Sequence, residues 1–98
     1  MIGRFWRGWT TRENADELVR TKILPGIHRI DGYRGAYLLR RDVEDGVEFA
    51  TVTLWESLDA VRAFAGDQFD VAVVPPDARA VLARFDETSA HYEILVEP

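Results

Sequence analysis

Residues 47–64, Val47-Glu48-Phe49-Ala50-Thr51-Val52-Thr53-Leu54-Trp55-Glu56-Ser57-Leu58-Asp59-Ala60-Val61-Arg62-Ala63-Phe64, hold a strand and the helix it feeds. From Val47 to Trp55 the only charge is Glu48, so the run predicts a strand covered on both sheet faces. Ser57 can cap the following helix, and Asp59 sits where the helix dipole favours negative charge. Ala60, Val61, Phe64 and Ala65 then recur at helical spacing as an inward stripe. Trp55 stands at the seam between the two elements. A large flat side chain there either plugs a core or walls a pocket, and the residues alone leave both open.

Outward from this stretch, the totals bound the molecule. At 98 residues the chain is long enough for one domain, 1–98, and too short for two. With 47% hydrophobic residues it has globular composition, and a domain this small gains by burying more surface against a second copy. No cysteine is present, which excludes disulfides, thiolate nucleophiles and cysteine metal sites. No apolar run nears the ~20 residues of a membrane span, and the N-terminal residues lack a signal-peptide pattern. A cytoplasmic protein with no membrane partner is expected. Net charge is −5, and no basic stripe accompanies a recognised reading element, so no nucleic-acid partner is expected.

Met1 to Thr10 alternates bulky residues with small or charged ones, as a first strand would. Thr10 and Glu13 have capping-box spacing, and Ala15, Leu18, Val19 and Ile23 supply one apolar helical face before Pro25-Gly26 ends it. Tyr33 to Arg41 predicts the second strand, and the polar run Asp42 to Gly46 predicts a hairpin turn with Asp-Gly as its strongest element. Gly66-Asp67 ends the second helix; an apolar loop from Phe69 to Pro76 follows. Asp77 is placed to cap a short helix through Val81, Leu82 and Phe85, and Ser89 to Val96 predicts the last strand.

The order β-α-β-β-α-β is that of the α+β ferredoxin-like antiparallel sheet, with an extra short helix. Two helices cover one face of its four strands. The third strand, with a single charge, implies that the other face is covered as well, and a second copy packed sheet to sheet would do so. A homodimer is therefore expected.

Three segments together, Thr53-Leu-Trp-Glu-Ser-Leu-Asp-Ala-Val-Arg-Ala-Phe64, Val73-Val-Pro-Pro76 and His91-Tyr92-Glu93, carry a further signal. The chain resembles, over nearly its whole length, the antibiotic biosynthesis monooxygenase-like proteins of the dimeric α/β barrel superfamily. That resemblance implies a dimeric barrel, and a function among cofactor-independent quinone-forming oxygenases, haem-degrading enzymes, isomerases and non-catalytic members. The haem-degrading branch is expected to carry an Asn on the first strand, a Trp in the second helix and a His just after it. Here Ile2 to Thr10 has no Asn, the helix offers Phe64, and no His lies between Ser57 and Ala90, so haem degradation is disfavoured. The cofactor-free oxygenases activate a phenolic substrate with Asn, Trp, Tyr and Arg, and no cofactor is expected.

With strands one and three taken as parallel neighbours, Trp9, Tyr33, Trp55, His91 and Tyr92 would meet at one sheet edge, beside the N-termini of both main helices. These aromatics, with His28, form the expected binding set for a small aromatic anion such as a phenolate, and His91 is the expected general base, its ordinary pKa of about 6.5 suiting that work. The competing reading makes the same aromatics core and the protein a non-catalytic metabolite-binding or association module. No metal site is expected, because His28 and His91 lie far apart without acidic partners at ligand spacing.

Overall fold

The computed structural model describes residues 1–20 and 29–97. Its elements run β1 (Ile2–Thr10), α1 (Arg12–Arg20), β2 (Tyr33–Val43), β3 (Gly46–Trp55), α2 (Leu58–Ala65), α3 (Pro76–Val81), β4 (Arg84–Phe85) and β5 (Ala90–Glu93). Ile23, Pro25-Gly26 and His28 lie outside the described residues.

The α+β antiparallel architecture is as the sequence predicts, with sheet order β2-β3-β1-β4 and β5 also on β1. One feature of the expected topology is corrected. β1 and β3 are antiparallel, not parallel, with Ile2 opposite Trp55 and Thr10 opposite Val47. The α1 crossover brings β2 back along the direction of β1, and the tight hairpin then reverses β3. The final strand is also shorter than expected. Residues 84–85 and 90–93 pair with different ends of β1, and Asp86, whose N–H bonds the Arg7 carbonyl at 2.9 Å, joins the two stretches.

Alternation along the strands divides the sheet into two faces. Trp6 on β1 and Val47 and Phe49 on β3 pack with Ala15 and Leu18 of α1 and Ala78 of α3. Trp55 packs with Ala60 and Val61 of α2 and with Ile2, Tyr33 and Phe69. Both clusters lie on the helix-covered face. On the opposite face Tyr37, Leu39 and Tyr92 are 56%, 48% and 61% exposed, while the β3 residues Val52 and Leu54 are half-buried.

Local chemistry explains the element ends. Ser57 caps α2 as expected, its hydroxyl accepting from the Ala60 N–H at 3.2 Å, and Gly66 closes it with an N–H to the Arg62 carbonyl at 2.7 Å. The cap of α1 is Thr11 rather than Thr10: the Asn14 N–H donates to Thr11 Oγ1 at 3.2 Å. Thr10 belongs to the inward set of β1, and its hydroxyl donates to the Val81 carbonyl at the end of α3. α3 begins on Pro75-Pro76 without a side-chain cap bond, so Asp77 lies in its first turn, not at its cap. In the β2–β3 hairpin Val43 faces Gly46, which makes Glu44-Asp45 the turn; a Cβ on Gly46 would fall 2.3 Å from the Thr10 carbonyl oxygen.

Gly32 fixes the entry into β2. Its φ is +87°, and an added Cβ would lie 2.5 Å from the Ala60 Cβ. Gly32→Ala is expected to lower stability by roughly 1–2 kcal/mol through strain and the displaced helix. A urea titration at fixed protein concentration reads this as a lower midpoint with unchanged slope.

Candidate functional site between the sheet and the second helix

The inward row of β3 reads Val47, Phe49, Thr51, Thr53, Trp55, so two hydroxyl-bearing residues interrupt the apolar run. The inward row of β1 is interrupted by Arg4 between Ile2 and Trp6. These positions coincide where the two core clusters part. There a cavity of about 20 Å³, with space for one water, is lined by Arg4, Trp6, Thr51, Thr53, Phe64 and Ser89 among others.

Arg4 is the one basic residue buried among the described residues, at 5% exposure. Its guanidinium donates to the Phe69 carbonyl at 2.5 Å and the Val71 carbonyl at 3.1 Å, and lies 2.9 Å from His91 Nε2. It also sits over the Phe64 ring, 5.6 Å from its centroid. The partners that hold it are two carbonyls and an imidazole rather than a carboxylate. Burial lowers its pKa, and Asp70 nearby opposes the shift. A buried cation costs several kcal/mol of desolvation that an apolar residue of similar size would avoid, which makes Arg4 a candidate functional residue.

A guanidinium can only donate, so His91 Nε2 accepts and the neutral ring carries its proton on Nδ1. Nδ1 lies 3.3 Å from Asp70 Oδ1, and the ring packs edge-on against Phe69 at 5.2 Å between centroids. The connection after α2 is held beside β5 by the Ser89 N–H on the Asp70 carbonyl at 2.7 Å, which brings Asp70 to His91. Burial first, and Arg4 second, lower the pKa of His91, while Asp70 raises it. The sign follows directly. A folded-state pKa below the unfolded value of about 6.5 means the unfolded chain binds more protons, so this contribution is present above about pH 6.5 and lost as pH falls through the folded pKa. Urea midpoints of the wild type are expected to drop on acidification below about pH 6.5, and His91→Gln is expected to flatten that part of the profile.

The other expected site residues separate. Trp55 is fully buried, stacked on Phe64 at 5.1 Å and edge-on to Tyr33 at 5.6 Å, with Nε1 donating to Thr53 Oγ1 at 2.8 Å. Trp55 and Tyr33 thus lie at the α2 end of the sheet, as expected. Trp9 does not join them: antiparallel pairing sends it to the far end, on the face without helices. There its Nε1 donates to Glu48 at 3.2 Å and Arg84 lies over its ring at 3.9 Å. Arg41 bonds the same carboxylate at 3.0 and 3.1 Å and is the main cause of its lowered pKa. His91 and Tyr92, adjacent in β5, point to opposite faces, His91 inward with Arg4 and Tyr92 outward. Both edge an open groove of about 490 Å³ with Ile2, Glu56, Ser57 and Glu93. His91 therefore stands between this outer groove and Arg4, which lines the inner cavity.

With this geometry in hand, three solved structures are informative. A candidate antibiotic biosynthesis monooxygenase from Bacillus cereus aligns with TM-score 0.70 at 16% identity, covering 100% of this chain and 94% of its own. The haem degrader MhuD from Mycobacterium tuberculosis, solved with two haems in its active site, aligns with TM-score 0.58 at 18% identity over 100% and 99% of the two chains. SnoaB, a cofactor-independent oxygenase from Streptomyces nogalater, aligns with TM-score 0.52 at 23% identity over 98% of each chain. The chain shares its fold with these three proteins. No protein-family profile and no curated protein matches the sequence.

Within this fold, sequence reasoning missed Asp70 and, above all, Arg4. Its signal was a charged side chain in the same alternating set as Ile2 and Trp6, matched across the sheet by Thr53. No helix among the described residues is long and apolar enough to cross a membrane.

Proposed function

We propose that the chain works as a cytoplasmic homodimer that takes a small phenolic or quinol-like aromatic between the sheet and α2 and oxidises it without a cofactor. The observation that carries this reading is Arg4, a buried guanidinium beside an aromatic ring and a neutral imidazole. In that setting the guanidinium stabilises an oxyanion more strongly than it could in water, and His91 is placed to take the hydroxyl proton. Phe64, over whose ring Arg4 sits, lines the inner cavity beside the guanidinium. Dioxygen is the oxidant. A quinol gives up two electrons and two protons to yield a quinone and hydrogen peroxide; a phenol with an open para carbon gains one oxygen atom there as a quinone carbonyl, and the other leaves as water. The likeness to SnoaB supports this class.

The dimer rests on the uncovered sheet face, where Tyr37, Leu39 and Tyr92 are exposed beside Phe5 and Val52. Light scattering on the 11.2 kDa chain is expected to give twice that mass, and Leu39→Glu the single mass.

Oxygen uptake across phenols and hydroquinones tests the activity, with haem titrated in parallel because MhuD shares the fold. Turnover by wild type and its loss in His91→Ala support the proposal; equal uptake by both removes His91 from the reaction. A second reading, an association module without chemistry, is favoured by one observation: the inner cavity holds about 20 Å³, too little for an aromatic ring, and no buried side-chain polar atom among the described residues lacks a partner. A dimer that neither binds any of these phenols nor takes up oxygen would establish it.

A further inference from the structure

Asp70, His91 and Arg4 form a line in which an anion and a cation are held apart by one neutral ring: Oδ1 to Nδ1 is 3.3 Å and Nε2 to the guanidinium is 2.9 Å. Asp70 and Arg4 are thus a divided ion pair. A neutral phenol brings the one proton that would complete it twice over. If its hydroxyl displaces the guanidinium from Nε2, the phenol O–H bond breaks and an Nε2–H bond forms. The phenolate oxygen then accepts from Arg4, and the imidazolium stands against the Asp70 carboxylate. One neutral ligand has become two adjacent ion pairs, and the site's net charge is unchanged.

Resting on the phenol-binding reading above, we infer that Asp70 is a positioning residue that fixes His91 with its proton on Nδ1 and holds the imidazolium formed when a ligand arriving as a neutral phenol ionises inside. The charges around the approach agree with neutral entry. The outer groove beside His91 carries the carboxylate of Glu93 and that of Glu56, which is paired with Arg34, and no Lys or Arg among the described residues lines it, so no basic side chain of the groove draws a preformed anion inward ahead of Arg4. From the other elements His91 faces Arg4 on β1, and Asp70 and the Phe69 ring on the connection after α2, with Arg62 of α2 on that same ring at 5.2 Å. The Asp70 side chain is 70% exposed, so replacing it leaves the packing intact.

The experiment uses the full chain and 4-nitrophenol, whose ionised form absorbs in the visible. Wild type is expected to ionise the bound probe at lower pH than the free probe. Asp70→Asn is expected to raise the ionisation pH of the bound probe by about one unit, tenfold less phenolate at a fixed pH, while affinity for the neutral probe changes little. Asp70→Glu should restore most of the shift. A structural role alone would not move this spectroscopic titration. Bound probe that titrates identically in wild type and Asp70→Asn overturns the role of Asp70 and leaves Arg4 and His91 standing. Wild type that fails to bind the probe, or binds it with its ionisation unshifted, overturns both this inference and the function on which it rests.

Discussion

Trp55→Ala is expected to cost roughly 3–5 kcal/mol of folding free energy. The side chain is fully buried, its ring meets Phe64 at 5.1 Å and Tyr33 at 5.6 Å, and its indole N–H satisfies Thr53. Truncation empties the centre of the α2-side core and takes away the ring on which Phe64 stacks, so transfer and cavity terms add. A domain of this size commonly has about 5–15 kcal/mol in all, so the variant is expected to keep a folded baseline in water with a much lower urea midpoint. Measurement at one protein concentration separates this from any change in association. A loss under about 1 kcal/mol would contradict the packing described for this end of the sheet.

Arg4→Met is expected to weaken binding of a phenolic anion by roughly 100-fold, the scale of a hydrogen bond to a charged group. Methionine fills similar volume but offers no donor to a ligand oxygen, to the Phe69 and Val71 carbonyls, or to His91. Arg4→Lys keeps the charge and is expected to fall between, because one ammonium cannot reproduce the planar fork that reaches both carbonyls and the imidazole. Isothermal titration with a single phenol across the three proteins checks the order. Equal affinities would place the ligand away from Arg4.

Much of the fold was legible because local signals agreed. The run from Val47 to Trp55 with Glu48 as its only charge, the Ser57 cap and the Ala60, Val61, Phe64 stripe all point to one strand-helix unit, and that unit formed as read. Strand direction was not local. Trp9 and Trp55 look equivalent as strand-end tryptophans, yet the hairpin reversal puts them at opposite ends of the sheet and on opposite faces. Thr10 and Thr11 are alike as caps; strand alternation, which turns Thr10 inward to Val81, decides between them. His91 was singled out from its chemistry alone. Arg4 was not, because a lone arginine in a strand normally reaches solvent, and its burial depends on carbonyls at Phe69 and Val71 more than sixty residues away. Asp70 was hidden for the same reason: it reaches His91 only because the connection after α2 bonds back to Ser89.

The most direct test is a crystal structure of the protein soaked with a hydroquinone. The ring is expected between Phe64 and the sheet, with one ligand oxygen about 2.7–3.2 Å from the Arg4 guanidinium and His91 Nε2 turned to the same oxygen. A ligand seated only on the uncovered sheet face, with Arg4 still bonded to the Phe69 and Val71 carbonyls and to His91, would contradict it.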